Sequence, residues 1–319
     1  MGRARASLYG ASRAGMGEVQ RARLLAAAVE VVSEVGYAGM STARVSARAG
    51  VSRKTFYELF EDREDCFLAA FDDAVARATL LVEDAVAGEA SWRNQVRAGL
   101  STLLLFIGDE PGLGALVIVS ALNAGPKVLA RRALWLETLA RIVDRGRSEV
   151  KTGNGPPPLT AEGVVGAVLS VLHARMLAQS SRPPIELLNP LTAMVVLPYL
   201  GQAAAARELT RAGPKARRTP TRSVKDPLDG LNMRLTYRTL RVLAAVALQP
   251  GASNRELSTR AGISDEGQVS RLLTRLERFG LLRNTGAGQA MGEANAWTLT
   301  ARGVDVEQAL RVRTERIAR

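Results

Sequence analysis

The chain has 319 residues, of which 47% are hydrophobic, so it is too long for one compact core and should form two or three domains. Aromatic residues make up only 4%, which leaves Ala, Leu and Val to build the cores and favours a mostly α fold. The single cysteine, Cys66, excludes an intramolecular disulfide. The first residues lack the apolar run of a secretory signal, and Pro190 and Pro198 interrupt the longest uncharged stretch, so we expect a cytoplasmic protein with no membrane partner.

The net charge of +12 is distributed unevenly along the chain. Residues 1–60 carry a net +5, residues 61–206 a net −3, residues 207–241 a net +7 and residues 242–319 a net +3. A protein that binds a polyanion concentrates its cations where the contact is made, so the two basic flanks favour nucleic acid over a membrane surface. The alternative is that the arginines only form a solvated surface.

The first predicted elements are three short helices near the amino terminus. Apolar residues at helical spacing predict a helix from Gln20 to Gly36, and a second helix starts near Thr42 and ends at Gly50. Ser52 is placed to cap a third helix. Three helices joined by a short glycine turn predict a helix-turn-helix.

The third helix has two different faces. Phe56 and Phe60 lie one turn apart and face inward, which leaves a basic, hydroxyl-bearing edge near solvent. Such an edge suits contacts to phosphates and to the DNA grooves. The alternative is a small helical bundle that only stabilises the chain, but packing alone does not require this polar edge.

The stretch GVSRKTFYELFEDREDCF, residues 50–67, resembles the pattern of TetR-type regulators, and the wider resemblance covers residues 18–70. It implies a DNA-binding domain in which polar side chains of the third helix contact phosphates or bases. Arg63 stands where the family usually has lysine, at a helix start that favours a phosphate. The implied DNA contacts are Ser52, Arg53, Lys54, Thr55, Tyr57 and Arg63.

Residues 71–209 predict an all-helical domain of several apolar runs separated by proline and glycine. By the same resemblance, this domain binds a small-molecule effector and forms a homodimer through its last two long helices. Small residues in those two runs permit close approach: Gly163, Gly166, Ala167 and Ala193. The alternative is that both runs are buried within one subunit. Pro198 should kink or divide the last helix.

Three residues of this domain are candidates for the effector pocket: Trp135, His173 and Met176. Each has a simpler interpretation, because an aromatic residue or a lone histidine in a helical domain is usually part of the core. The chain has one histidine and one cysteine, far apart in sequence, so we expect no catalytic site, no metal site and no cofactor. The sequence therefore argues against an enzyme.

Residues 210–232 are polar, rich in arginine and interrupted by proline, which predicts a basic linker. Beyond it, Ser253 and Glu256 have the spacing of a capping box. Two β-prone runs, LLRNT and AWTLT, flank the glycine-rich segment 286–295 and predict a two-stranded wing. Residues 233–315 are thus expected to form a small winged helix-turn-helix.

The stretch GQVSRLLTRLERFGLL, residues 267–282, resembles MarR-like winged helices. The resemblance implies that polar residues of this helix enter a DNA groove while the wing follows the backbone. The residues concerned are Gln268, Ser270, Arg271 and Arg275. Winged helices also bind proteins, so a role without DNA stays open for this domain.

Both helix-turn-helix segments contain Arg-Ala-Gly, a branched apolar residue and Ser, at residues 48–52 and 260–264. In each, glycine permits the tight turn and serine is placed to cap the next helix, so similar turn geometry explains the likeness without a repeat. The sequence therefore predicts a transcriptional regulator, usually a repressor in the TetR-type family, that binds a double-stranded operator and responds to an effector. The alternative is a DNA-bound scaffold or architectural protein whose winged domain recruits a protein partner.

Overall fold

The computed structural model describes residues 13–150, 155–178, 182–213, 236–263, 265–286 and 295–315. These residues are nearly all helical, with one small two-stranded sheet, which confirms the predicted fold class. The chain forms two compact units. The first comprises Met1–Leu24, Ala43–Leu59 and Pro220–Arg319, and the second comprises Leu25–Thr42 and Phe60–Thr219.

The amino-terminal segment contains three helices: α1 (Arg13–Gly39), α2 (Thr42–Ala49) and α3 (Arg53–Leu59). Helix α1 begins before Gln20, where the apolar pattern had placed its start. Its regular geometry is interrupted at Gly36, the predicted end of the helix, whose φ of 67° and ψ of 173° are non-helical. Gly50 adopts a φ of 62°, a conformation that glycine reaches without strain, and this turn separates α2 from α3.

The second unit contains six further helices: α4 (Arg63–Val86), α5 (Trp92–Asp109), α6 (Pro111–Ile118), α7 (Pro126–Asp144), α8 (Thr160–Leu177) and α9 (Leu188–Thr210). Three short 3₁₀ segments lie between them, at Ser120–Asn123, Arg145–Glu149 and Pro184–Leu187. Helix α4 packs against α5, α6 and α7, while α8 packs against α7 and α9. Leu104, Leu188 and Val196 are among the side chains that fill the resulting core.

Helix α9 is interrupted, as Pro198 had predicted. The non-helical residue is Gly201, which has a φ of 77° and lies three positions after the proline. Proline has no backbone N–H and its ring clashes with the preceding turn, so the helix is already weakened where the glycine breaks it. The two halves of α9 therefore point in different directions.

The helices α8 and α9 reach the length and mean hydropathy of membrane spans, as does the bent pair of α5 with α6 and the 3₁₀ segment that follows. This statement concerns length and composition only. In α8 and α9 the apolar windows lie largely outside the core of the single chain. Each helix thus presents an uncovered apolar or small-residue face.

The carboxy-terminal segment contains α10 (Tyr237–Leu248), α11 (Asn254–Ala261), α12 (Glu266–Arg278), β1 (Leu282–Asn284), β2 (Trp297–Leu299) and α13 (Ala301–Glu315). The two strands pair in antiparallel fashion, with Leu282 opposite Leu299. This arrangement confirms a winged helix. The expected wing tip, residues 287–294, and most of the expected linker lie outside the described residues.

The close fit of α13 depends on Gly303. A Cβ atom at this position would clash with the backbone oxygen of Leu281. Thr300 supports the same junction, because its backbone N–H donates to Leu281 O at 3.0 Å. Glycine is therefore required where α13 crosses the start of the wing.

Candidate nucleic-acid interface

The amino end of α3 is organised by Ser52. Its Oγ accepts a hydrogen bond from the backbone N–H of Thr55 at 3.1 Å and lies 2.8 Å from the Thr55 hydroxyl. This is the N-cap that the sequence predicted, and it satisfies a backbone donor that the helix cannot satisfy itself. The side chain of Phe56 is fully buried. The cap and the buried ring together fix which side chains of α3 face outward.

The outward edge of α3 carries the residues expected to contact DNA. Arg53 and Lys54 are exposed, the Tyr57 side chain is 56% exposed, and Ser52 and Thr55 are half-buried. Lys54 Nζ lies 3.9 Å from a Glu58 carboxylate oxygen in a solvent-exposed pair. Such a pair is worth little in water, so Lys54 can exchange this partner for a phosphate. The Tyr57 ring lies edge-on to Phe56 with 5.5 Å between centroids, which orients its hydroxyl.

Arg63 occupies the first turn of α4, as expected, and is held by two contacts. Its Nη1 donates to the backbone oxygen of Met40 at 2.9 Å, and its guanidinium carbon lies 4.9 Å from the centroid of the Tyr37 ring. Burial and two nearby carboxylates raise the pKa of Tyr37, while the Arg63 guanidinium opposes that rise. An arginine has five N–H donors, so Arg63 retains donors for a phosphate while these contacts fix its position.

In the winged domain, α12 presents the second basic face. The Asp265 side chain accepts from the backbone N–H of Gln268 at 3.0 Å and caps the helix, and this bond lowers the pKa of Asp265. Val269 and Leu273 are buried on one side of α12, while Arg271 and Arg275 are exposed on the other.

The four α12 residues expected to contact DNA differ in how many of their polar groups already bind other residues of the chain. The Gln268 Oε1 accepts from Arg238 Nη1 at 2.7 Å, and Ser270 is half-buried. Arg271 Nε donates to the Gly267 carbonyl at 3.2 Å, so part of its guanidinium is already used. The Arg275 guanidinium carbon lies 6.0 Å from the Phe279 ring centroid. Arg238 was missed by sequence reasoning, because it comes from α10 and only the fold brings it to this face.

The base of the wing is fixed by three asparagines that sequence reasoning also missed. Asn254 Oδ1 accepts from Trp297 Nε1 at 2.6 Å, and Asn284 Nδ2 donates to Asn295 Oδ1 at 2.7 Å. Asn284 Oδ1 also accepts from the backbone N–H of Ala296 at 3.0 Å. The position of Asn284 at the end of β1, opposite Trp297, was the one available signal. These bonds hold the two strands in register and orient the wing.

The candidate effector residues all lie in the helical unit. Trp135 packs against its core and is edge-on to Phe71, with 6.2 Å between ring centroids. Met176 also packs against this core, and His173 is half-buried one turn earlier on α8. None of the three lines either of two open cavities in this unit.

The first of these cavities, of about 680 Å³, lies between the end of α7 and the start of α8 and is lined by charged residues including Arg141 and Glu162. The second, of about 290 Å³, is lined by residues including Asn94, Arg97 and Arg211. Within the part of the chain that the structure describes, no group of three or more His, Cys, Asp or Glu side chains is arranged to hold a metal ion.

Two family models match this chain. Residues 24–70 match the model described as bacterial regulatory proteins, tetR family, and residues 236–286 match the IclR helix-turn-helix domain. The second match identifies a helix-turn-helix in the winged segment, as expected, but of the IclR type rather than the MarR type. Helix caps and an apolar stripe recur in winged helices generally, so residues 267–282 could not separate the two types. Neither model describes an enzyme.

Several solved structures of transcriptional regulators align with part of this chain. The fatty acid degradation regulator FadR from Bacillus halodurans aligns with a TM-score of 0.52 and 14% identity, over 57% of this chain and 97% of that chain. FadR from Bacillus subtilis in complex with stearoyl-CoA gives a TM-score of 0.49 and 18% identity, over 55% and 96%. A TetR family transcription regulator from Marinobacter aquaeolei VT8 gives 0.46 and 24%, over 56% and 94%. No curated protein matches the chain.

The two family matches agree with the geometry of both helix-turn-helix segments. Each segment has a short capped helix with a buried apolar stripe and an outward basic edge. Such helices deliver side chains to a DNA groove while the preceding helix and the wing contact the backbone. The chain is a DNA-binding transcriptional regulator with a TetR-type helix-turn-helix near its amino terminus and an IclR-type helix-turn-helix near its carboxy terminus.

Proposed function

We propose that the protein acts as a homodimeric repressor that reads a palindromic operator and is released when a small molecule binds its helical unit. The observation that carries this proposal is the outward edge of α3, which Ser52 and the buried Phe56 hold in a fixed orientation. Because the side chains of this edge are already fixed, they lose little conformational entropy when they bind DNA. The free energy of their hydrogen bonds to DNA is therefore not offset by a large ordering cost.

Within this edge, each side chain suits a particular contact. Arg53 and Lys54 are exposed cations that neutralise phosphates or donate to base edges in the major groove. Tyr57 donates its hydroxyl to a phosphate, and the half-buried Ser52 and Thr55 hydroxyls lie at the helix start. Arg63 adds a phosphate contact at the start of α4. The same logic assigns Gln268, Ser270, Arg271 and Arg275 of α12 to a second set of DNA contacts.

A second copy of the chain accounts for the uncovered faces of α8 and α9. Gly163, Gly166 and Ala167 are exposed on α8, and a Cβ atom at either glycine would meet no other atom within 4 Å. On α9, Leu197 and Leu209 are 45% and 55% exposed, whereas Ala193 is buried in the core. Exposed leucines beside a smooth helical surface favour helix-to-helix association between subunits.

Replacing Gly166 by arginine should therefore prevent dimerisation without unfolding the subunit. Arginine has a higher helix propensity than glycine, and the single chain leaves room for it, but a partner helix at close range would not. Sedimentation analysis is expected to show monomers at concentrations where the unmodified protein is dimeric. Gly88→Arg is the matched control, because this position also has open space around it but lies outside α8 and α9. Dimers of the Gly166 variant would disprove this interface.

We propose that the effector binds next to Trp135, His173 and Met176. An aromatic ring, a thioether and a polar imidazole that are only partly buried offer a mixed apolar and hydrogen-bonding surface for a small molecule. Because neither open cavity includes these residues, binding there requires neighbouring side chains to separate. In a dimer, the resulting shift would change the spacing between the two copies of α3, which must match half-sites about one DNA turn, roughly 34 Å, apart.

An operator-selection assay tests this function directly. Random duplexes are incubated with the full-length protein at moderate salt, and bound sequences are recovered and read. Enrichment of palindromic half-sites supports a dimeric, sequence-specific regulator. Uniform recovery of all duplexes would contradict it and would point to an architectural role instead.

The second candidate function is a DNA-bound scaffold whose winged domain recruits a protein partner. It is favoured by Gln268, which was expected to enter a DNA groove but whose amide oxygen already accepts a hydrogen bond from Arg238. Acidic Glu266 and Glu277 also lie on α12 among its arginines. Removal of residues 226–319 distinguishes the two functions: a shortened or weakened footprint on the selected operator supports DNA contact by the winged domain. An unchanged footprint supports the scaffold.

A further inference from the structure

The start of α1 contributes to the hydrophobic core of the winged domain. Met16 is 4% exposed and Val19 is fully buried, and both belong to the same buried cluster as Leu243, Leu273 and Val306 of α10, α12 and α13. The two family matches cover residues 24–70 and 236–286. Met16 and Val19 lie outside both matches, so their place in this core is not part of either family pattern.

The geometry of these two residues is that of a docking face. Met16 and Val19 are three positions apart on α1, which puts them on the same side of the helix, while Glu18 between them is exposed. Burying an apolar side chain of this size removes its surface from water and so stabilises the contact. Two such side chains stabilise an intramolecular contact that has no large entropic cost of association, because both partners belong to one chain.

The covalent connection alone would not fix the position of the winged domain. Residues 214–235 precede α10, and 22 residues can span up to about 75 Å when extended. In contrast, α1 is continuous from Arg13 past Val19 toward the first helix-turn-helix. Residues 1–24, the segment 43–59 that contains α3, and residues 220–319 form one compact unit.

We propose that Met16 and Val19 are a docking face that fixes the winged domain to the first helix-turn-helix, so that α3 and α12 read one composite DNA site with a set spacing. The proposal rests on the proposed function in one respect, because it assumes that both segments contact DNA. Its consequence is specific to this chain: the docking face sets the distance between the two contact regions, and the length of the linker does not.

Four full-length variants test this. In the first, Met16→Glu is combined with Val19→Glu, which puts two carboxylates into an apolar core. Val19→Ala is a milder change that leaves the helix intact and removes two methyl groups. Glu18→Gln is the matched control on the exposed side of the same turn. The fourth variant carries ten additional Gly and Ser residues between positions 225 and 226.

The first measurement is hydrogen exchange of the amides in α10 and α13, without DNA. We expect the double variant to exchange at least about tenfold faster there, Val19→Ala to show a smaller change in the same amides, and Glu18→Gln and the insertion to match the unmodified protein. Unchanged exchange in both Val19 variants would overturn the docking face. Since no DNA is present, this outcome is independent of whether the proposed function is correct.

The second measurement is the footprint on the selected operator. The insertion is expected to leave the distance between the two protected regions unchanged, whereas the double variant should lose the protection given by the winged domain and keep that given by α3. A footprint that changes with the insertion but not with the double variant would show that the linker sets the spacing, and would overturn the proposal. Complete loss of binding in the double variant is resolved by Val19→Ala, whose footprint must change in the same direction if the docking face is correct.

Discussion

Glu208→Gln is expected to lower the free energy of unfolding of the helical unit by about 3 kcal/mol. The Glu208 side chain is only 1% exposed and is surrounded by three arginines. Its Oε2 accepts from Arg97 Nη1 at 3.1 Å, while Arg93 Nε and Arg211 Nη1 each lie 3.4 Å from Oε1. Glutamine retains the shape and removes the negative charge that these cations share.

The large effect follows from the burial of Arg97. Its side chain is 10% exposed, and its Nη2 donates to the backbone oxygen of Ala212 at 3.1 Å, just beyond the end of α9. A buried guanidinium that loses its carboxylate is left with an uncompensated charge, which costs far more than a lost hydrogen bond between neutral groups. The same contacts hold the carboxy end of α9 against α5, so this end should loosen first.

Thermal or urea unfolding, followed by tryptophan fluorescence, measures the change. For a unit of this size, a loss of about 3 kcal/mol lowers Tm by roughly 6–12 °C. Glu110→Gln is the matched control: it makes the same replacement in the pair with Arg77, where both side chains are about half exposed. That pair is expected to contribute less than about 1 kcal/mol. Equal destabilisation by the two substitutions would show that burial does not control the strength of these ion pairs.

Much of the local structure around helices α3 and α12 was predictable from the sequence. Capping residues, glycine turns and apolar spacing are local signals, and they located the Ser52 cap, the buried Phe56 and the capping box of Ser253 with Glu256. The pairing of the wing strands also follows from two short β-prone runs separated by glycines. These features depend on residues only a few positions apart, so the local sequence is enough to predict them.

Features that depend on distant residues were not predictable. Arg97 and Glu208 are 111 positions apart, and nothing in either local sequence indicates that they form a buried pair. Nothing in the sequence around Met16 and Val19 indicates that they are buried, because their partners lie in the winged domain. The IclR-type match was missed for a related reason: the winged-helix pattern fixes the helices and the wing but not the family. The effector-binding role of the helical domain was inferred from a resemblance, and the roles of Trp135, His173 and Met176 in it are proposals.

The double substitution of Lys54 by alanine and Tyr57 by phenylalanine is expected to weaken operator binding by about 10- to 100-fold without changing the stability of the domain. Both side chains are exposed on α3, so neither substitution removes core packing. Lysine supplies a full positive charge, and tyrosine supplies one hydrogen bond from its hydroxyl. Their loss acts mainly on phosphate contacts and should affect specific and nonspecific duplexes alike.

The salt dependence of operator binding distinguishes the loss of a phosphate contact from other causes of lower affinity. Each phosphate neutralised by a cation releases counterions, so loss of the Lys54 contact should reduce the slope of log K against log salt concentration by about 1 for each subunit. Arg77→Ala is the matched control, because this cation also forms a solvent-exposed ion pair, with Glu110, but lies more than three helical turns beyond Arg63 on α4. Titrations at three or more salt concentrations would show whether the slope changes. Unchanged affinity and slope in the double variant would mean that α3 does not read the operator, and binding would then have to come from the winged domain.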